Sequence, residues 1–147
     1  MDLRIPSSLK MEHEGLYEEL NRAARITGDI GMAAMSAFKI FQHHMSREEE
    51  FAFPPLHLLH SIAEKSVDTE FTGVIKLCDT LKDQMPALLK EHDEMRRSLH
   101  EMNDIAMKEQ RPEYASLAKR LMQHLTLEEE IYYPASLMIR CISESPV

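Results

Sequence analysis

Apolar residues recur every three or four positions along most of the chain, which is typical of amphipathic helices that bury one face. The pattern predicts four helical segments with the approximate bounds 7–27, 32–63, 69–109 and 112–142. Short breaks separate them, at Gly28-Asp-Ile-Gly31, near residues 65–68 and at Gln110-Arg-Pro112. Four such helices with short connections predict an all-α fold, an antiparallel up-down-up-down four-helix bundle.

Several residues mark where these helices should begin, bend or end. Pro6-Ser7-Ser8 offers an N-cap for the first helix, and Asp68-Thr69-Glu70 looks like the start of the third. Pro54-Pro55 should kink or stop the second helix, with a further turn through Leu56–Ala63. Pro86 should bend or divide the third helix.

The predicted inner faces are apolar except for a few histidines and glutamates. The first two helices should turn inward Leu9, His13, Leu16, Tyr17, Leu20, Ala24, Ala33, Ala37, Ile40, Phe41, His44, Glu48 and Phe51. The last two should turn inward Leu81, Met85, Leu88, Leu89, His92, Met95, Leu99, Leu117, Leu121, His124, Leu127, Glu128, Ile131, Ala135 and Met138. Four histidines and two glutamates therefore join faces that should form the core.

The chain repeats one plan of polar residues in its two halves. In His44-Met-Ser-Arg-Glu48 and in His124-Leu-Thr-Leu-Glu128, a histidine precedes three consecutive glutamates by four residues, and a proline follows the first glutamate by six. Each is preceded by a histidine between two acids, Glu12-His13-Glu14 or Glu91-His92-Asp93. The repeat predicts one domain over residues 1–147 with two halves of the same design, about 7–64 and 69–142.

A histidine and a glutamate four residues apart lie on the same side of a helix, one turn from each other, which is a chelating geometry. Buried carboxylates beside four histidines need protons, partners or a cation. Imidazole and carboxylate ligands suit iron, manganese or zinc, whereas the absence of thiolates from the set argues against copper(I) and iron–sulfur sites. The alternative without a metal is a set of core histidines that form hydrogen bonds to neighbouring carboxylates. The candidate metal ligands are His13, His44, Glu48, His92, His124 and Glu128.

Composition excludes some other classes of protein. The formal net charge of −8 argues against a nucleic-acid partner, because binding a polyanion needs a concentrated basic face. No apolar run approaches the ~20 residues that span a membrane, and no cationic-then-apolar signal opens the chain. Cys78 and Cys141 form no Cys-x-x-Cys motif and no disulfide framework, so a reducing, cytoplasmic location is expected.

The six candidate residues match the pattern His…His-x3-Glu…His…His-x3-Glu, and in it the chain resembles the hemerythrin-like, or HHE cation-binding, family over nearly its whole length. The resemblance implies two non-haem iron ions, oxo- or hydroxo-bridged, with an open position for O2 or a related small ligand. It implies that His13 and His44 face one iron and His92 and His124 the other. Glu48 and Glu128 would bridge the two, and manganese or zinc would also suit the ligands.

The chain departs from the oxygen-carrying hemerythrins at one position. They resemble this pattern but place an extra histidine four residues after the ligand of the third helix, where this chain has Arg96. Water or Glu129 would then complete the second iron, or its position would stay open. The departure weakens the case for reversible O2 transport and leaves room for nitric oxide or peroxide chemistry. Tyr17, one turn after His13, is a candidate hydrogen-bond donor to a bound oxygen species or else part of the core.

The remaining polar candidates are expected to lie outside the site. On the helical wheel His43, Glu49 and Glu50 point toward solvent, and His57, His60 and His100 lie at the periphery. The leading hypothesis is therefore a di-iron protein that binds O2, nitric oxide or peroxide for sensing, storage or protection. A di-iron enzyme that decomposes peroxide and an iron-responsive interaction module are the alternatives, and no catalytic residue or oligomeric state follows from the sequence.

Overall fold

The computed structural model describes residues 4–64 and 71–144, and every regular element in these ranges is helical. The α-helices are α1 (Ser7–Ala24), α2 (Asp29–Arg47), α3 (Leu59–Ala63), α4 (Phe71–Lys108), α5 (Pro112–Leu127) and α6 (Tyr133–Glu144). A first π turn (Glu48–Ala52) follows α2, and a 3-10 helix (Pro54–Leu58) leads into α3. A second π turn (Glu128–Tyr132) joins α5 to α6. The prediction of an all-α fold is confirmed for the described residues.

The long helices pack in the order in which they occur in the chain. α1 lies against α2, α2 against α4, and α4 against α5, while α5 also contacts α1. α6 continues beyond α5 and packs against α4, where the Cys78 thiol donates to the Ser136 carbonyl oxygen. Within residues 4–64 and 71–144, none of the helices combines the length and apolar character needed to cross a membrane.

Two glycines shape the turn between α1 and α2. Gly28 has φ of 105° and ψ of −169°, a combination that only glycine adopts without strain. Gly31 lies so close to the preceding turn that a Cβ atom would be 1.7 Å from the carbonyl oxygen of Ile26. The predicted break is therefore confirmed, although α2 begins at Asp29 rather than near Met32.

The other predicted boundaries agree in part. α1 begins at Ser7, yet no side chain caps it, because Pro6 holds the N-cap position and its carbonyl oxygen accepts from the backbone N–H of Leu9 and Lys10. Pro86 lies inside α4 without dividing it. Its ring is exposed, so water can satisfy the carbonyl group that loses its N–H partner. The expected loop near residues 65–68 and the expected helix start at residues 68–70 lie outside the described residues.

Two apolar clusters fill the interior. The first packs α1, α2, α4 and α5 together, and its largest fully buried side chains are Leu20, Ile30, Phe41, Met95, Leu99, Met102, Leu121 and Leu125. The second includes the start of α1, the first π turn, the first half of α4 and α6, with Leu9, Phe53, Leu81, Leu88, Tyr133 and Ile139 among its members. His13 and His92 lie between the two clusters along their helices, His13 between Leu9 and Leu16 and His92 between Leu88 and Met95.

The π turns change which residues face inward. In each one a backbone N–H bonds five residues back instead of four, from Phe53 to Glu48 and from Tyr133 to Glu128. The extra residue rotates the following helix, so the prediction that Ile131 and Met138 face inward is wrong: they are 52% and 62% exposed.

The buried positions after the second π turn are Tyr133, Ser136 and Ile139. A regular helical wheel starting from Glu128 places Tyr133 about 140° and Ser136 about 80° from that residue, and of the three it selects only Ile139. Leu89 and Leu127, both 38% exposed, were also predicted inward, and they lie at the edges of their buried faces.

The contact at Gly31 leads to a stability prediction. Gly31→Ala should lower the free energy of unfolding by about 1–3 kcal/mol, because the added methyl group meets backbone atoms that cannot move aside. Gly15→Ala is the matched control, since a Cβ there meets nothing within 4 Å, and alanine should stabilise the exposed middle of α1 by about 0.5–1 kcal/mol. Urea denaturation followed by circular dichroism measures both. Equal effects of the two substitutions would contradict the close approach.

Candidate metal centre

Six side chains meet in one buried layer between the two apolar clusters. α1, α2, α4 and α5 each supply one histidine, and each π turn supplies its first residue, a glutamate. All of them are 0% exposed except His124, at 2%. The residues are His13, His44, Glu48, His92, His124 and Glu128, so the structure brings together every predicted ligand.

The donor atoms form two groups that share the glutamates. In one group the Nε2 atoms of His44 and His92 are 2.9 Å apart, and His92 Nε2 is 2.9 Å from Glu128 Oε1. Glu48 Oε2 lies 3.2 Å from His44 Nε2. Donor atoms bound at about 2.1 Å to one ion lie at similar distances from each other. We call this group the His44–His92 position.

The second group is the His13–His124 position. His124 Nε2 is 2.8 Å from Glu128 Oε2, and His13 Nε2 is 3.4 Å from the same oxygen and 3.6 Å from Glu48 Oε1. The histidines therefore pair across helices in a different way from the expectation, which grouped His13 with His44 and His92 with His124. The pairing depends on which helices lie side by side at the depth of the histidine layer, and the spacing of residues along the chain does not determine it.

A carboxylate holds the outer nitrogen of every imidazole. The Nδ1 atoms of His13, His44, His92 and His124 lie 3.0, 2.8, 2.5 and 2.5 Å from Glu49, Glu91, Glu129 and Glu12, respectively. The arrangement follows the sequence repeat: the acid after each shared glutamate binds the first histidine of its own half, and the acid before each first histidine binds the second histidine of the other half. These carboxylates fix the ring orientation and direct Nε2 inward.

The acids around the His44–His92 position also bind arginines. Arg47 Nη1 donates to Glu91 at 2.7 Å, and Arg96 Nη2 lies 2.7 Å from Glu129. Arg96, four residues after His92, thus holds an outer carboxylate. Glu129 is bound to His92 Nδ1 and Arg96 and belongs to neither inner donor group, so this arrangement gives no support to the expectation that Glu129 completes the second iron.

One member of the site was missed by sequence reasoning. The hydroxyl group of Tyr133 donates to Glu48 Oε2 and lies 3.3 Å from Nε2 of both His44 and His92. A wheel of 100° per residue puts this side chain about 140° from Glu128. The wider second π turn brings it back to the site, and the only signal in the sequence was a tyrosine just before the repeated proline.

Several other expectations concern residues around the site. Tyr17 was a candidate for either the site or the core. Its ring packs 5.1 Å from that of Phe38 in the first apolar cluster, so the core alternative is confirmed. Glu49 was expected to face solvent, yet it is 27% exposed and binds His13. The expected exposure of the remaining polar residues is confirmed for His43, Glu50, His57, His60 and His100.

Buried charge strongly affects the protonation of the site. Burial alone lowers the pKa of His13, but hydrogen bonds to Glu128 and Glu49 more than offset it and raise that pKa to about 9. Burial also lowers the pKa of His44, but the negative charge of Glu48 more than offsets it, together with hydrogen bonds to carboxylates, and the pKa of His44 rises to about 11. Burial and the neighbouring Glu128 charge raise the pKa of Glu48 to about 7. Without an ion, protons therefore hold the cluster together.

The remaining donor atoms fit a metal ion. Glu48 Oε1 is buried and makes no hydrogen bond within the part of the chain that the structure describes, and the buried His124 Nε2 lies 2.8 Å from Glu128 Oε2 without hydrogen-bonding geometry. Both atoms belong to the His13–His124 position. An ion there would satisfy both at once, and the all-nitrogen-and-oxygen donor set suits iron, manganese or zinc.

Comparison with known proteins agrees with this geometry. The family model described as the hemerythrin HHE cation binding domain matches residues 4–136. No curated protein and no solved structure matches the chain significantly. The family match spans all six inner residues, the four outer acids and Tyr133.

Because protons stabilise the buried histidines and glutamates when no ion is bound, we predict that the metal-free protein loses stability as the pH rises. The folded pKa values of about 9 for His13 and about 10 for His124 exceed the unfolded value of 6.5, so the folded state holds more protons between these limits. That stabilisation is complete below pH ~6.5 and is lost as the pH approaches ~10. Thermal melting of chelator-treated protein from pH 6 to pH 10 measures it. A melting temperature that stays constant or rises over this range would contradict the pKa directions.

Proposed function

Because the chain belongs to the hemerythrin HHE cation-binding domain family, we propose that its buried histidines and glutamates hold two iron ions that bind O2, nitric oxide or peroxide for sensing, storage or protection. The observation that carries the proposal is the pair of four-residue donor groups that share Glu48 and Glu128. Two ions would lie between two histidines each, with the two carboxylates between them.

The same family membership supports an antiparallel up-down-up-down arrangement for the four helices that supply the histidines. Each of α1, α2, α4 and α5 contacts the next one in the chain, and α5 also contacts α1. The turns between α1 and α2 and between α4 and α5 are short, which favours antiparallel neighbours. This ring of helices would explain how four distant histidines reach one layer.

Charge balance supports two ions rather than one. Two inner and four outer carboxylates surround the site, and two guanidiniums offset part of their charge, which leaves four negative charges when the imidazoles are neutral. Two divalent ions balance this charge. A single divalent ion would leave two negative charges around the site, which protons or the water at the partly exposed outer carboxylates would have to stabilise.

The protein's own groups would position and protect these ions. The outer carboxylates orient the imidazoles and strengthen them as ligands by accepting hydrogen bonds from Nδ1–H. The apolar clusters on both sides limit the access of water to the layer. Tyr133 holds Glu48 in place through its hydroxyl group. Bound iron would supply exchangeable coordination positions and a change of oxidation state, which small ligands such as O2 or nitric oxide require.

A surface groove supplies a route for a small ligand. It has a volume of about 340 Å³, lies between α1 and α5, and is lined by Glu12, Gly15, Leu16, Arg120 and His124 among others. His124 is the one inner residue with measurable exposure, and it lines this groove. A diatomic molecule is small enough to pass beside Glu12 toward the His13–His124 position. Binding of nucleic acid stays disfavoured by the net charge of −8, and a cytoplasmic location stays a prediction.

The proposal predicts that protein purified from iron-replete cells contains two iron ions per chain and absorbs in the near ultraviolet through charge transfer, with a band that shifts when azide is added. Glu128→Ala should lose most of the iron, because Glu128 lies in both donor groups. Glu130→Ala, an exposed neighbour in the same π turn, is the matched control and should keep its iron. Elemental analysis and absorption spectra measure these outcomes.

Iron-free, colourless protein from such cells would overturn the proposal, and manganese or zinc at the same stoichiometry would change the identity of the ions.

Peroxide assays distinguish a protein that only binds peroxide from an enzyme that decomposes it. Stoichiometric binding without turnover is expected for a sensor or store. Steady decomposition of hydrogen peroxide that His44→Ala abolishes would instead assign a catalase-like enzyme.

A further inference from the structure

The contacts around the two proposed ion positions follow the sequence repeat at the ligands and outer acids but depart from it at three places. Arg47 corresponds to Leu127 in the second half, and Arg96 corresponds to Tyr17 in the first. Tyr133 corresponds to Phe53. Arg47, Arg96 and Tyr133 all lie on the His44–His92 side of the layer.

The outer acids consequently differ in charge environment. Glu91 and Glu129 each bind a guanidinium at 2.7 Å. Within residues 4–64 and 71–144, Glu12 and Glu49 have hydrogen bonds only to His124 and His13. Arg120 shares a groove with Glu12, but both of its terminal nitrogens donate to Glu19. The His13–His124 position thus keeps the full negative charge of its two outer carboxylates.

This difference affects how strongly each position attracts a cation. A carboxylate that accepts a hydrogen bond from Nδ1–H makes the imidazole a stronger metal ligand at Nε2. A guanidinium on that carboxylate withdraws negative charge from the hydrogen bond and also repels the cation directly. Both effects weaken the binding of a cation at the His44–His92 position relative to the His13–His124 position.

The inner atoms differ in the same direction. Among the described residues, Glu48 Oε1 makes no hydrogen bond, and His124 Nε2 lies near Glu128 Oε2 without hydrogen-bonding geometry. Both atoms face the His13–His124 position. At the other position the Tyr133 hydroxyl already occupies Glu48 Oε2 and lies 3.3 Å from both imidazoles. The ring of Phe53, 5.2 Å from that of His13, has no hydroxyl group to do the same.

We propose that the two positions are inequivalent and fill in a fixed order: the first ion binds between His13 and His124, and the second binds more weakly between His44 and His92. The inference rests on the proposed function in one respect, since it assumes that the cluster binds ions. Over a range of metal concentration the protein then holds a single ion, with the position beside Tyr133 able to gain or lose the second.

Titration of the metal-free full-length protein with Co2+ tests the order, because Co2+ reports each binding step through its visible absorption. A competing chelator gives the two dissociation constants, which should differ by about ten-fold or more. His124→Ala should remove the tight step, and His92→Ala should remove the weak step and leave the tight one.

Variants in the outer contacts test the physical cause without touching an inner ligand. Combined Glu12→Gln and Glu49→Gln should weaken the tight step by about 10–100-fold. Combined Arg47→Gln and Arg96→Gln should strengthen the weak step by about ten-fold and bring the two steps together. Arg111→Gln and Glu113→Gln, which break an ion pair at the turn between α4 and α5, are matched controls and should change neither step.

Two indistinguishable steps in the unaltered protein, or loss of the tight step in His92→Ala, would overturn the proposed order. A weak step that becomes weaker still when the arginines are replaced would overturn its electrostatic cause. If a histidine variant fails to fold by circular dichroism, the outer-contact variants decide the question. Absence of any Co2+ binding would instead refute the proposed function itself, so the two failures are distinguishable.

Discussion

Six titratable side chains lie in one layer between two apolar clusters, and the rest of the structure depends on how their charge is neutralised. An isolated carboxylate in such surroundings costs several kcal/mol, and Glu48 and Glu128 lie close together. Only positive charge stabilises this arrangement, whether it comes from protons on the imidazoles or from metal ions. The raised pKa values of His13, His44 and His124 show the first solution, and the family of the chain indicates the second.

The two π turns adapt helices to this layer. Each begins at a shared glutamate and gains one residue, so that the next inward position falls five residues later. Phe53 and Tyr133 occupy these positions and close the layer on the side of the second apolar cluster. A local change in hydrogen bonding, placed just before a proline in both halves, thus determines which groups line the site.

The sequence was sufficient to predict the six inner residues, because the duplicated His-x3-Glu spacing and the apolar periodicity select the same positions. It was insufficient for Tyr133 and Ile131, since a regular helical wheel cannot include an extra residue in a turn. The pairing of His13 with His124 also could not follow from spacing, because it depends on how the helices pack. The four outer acids had a signal in the repeat, where each adjoins an inner residue, but the wheel assigned Glu49 to solvent.

The near-symmetry of the site and its departures have different consequences. The repeated contacts direct Nε2 of all four imidazoles into the layer, which makes a shared centre geometrically feasible. The arginines and Tyr133 make its two sides chemically different.

The proposed function and the proposed order of binding both depend on ions bound among these residues. Anomalous diffraction at the iron edge from crystals of the iron-loaded protein tests this most directly. Two anomalous peaks, one between His13 and His124 and one between His44 and His92, are the expected result. A loaded crystal without any peak among these residues would contradict the account.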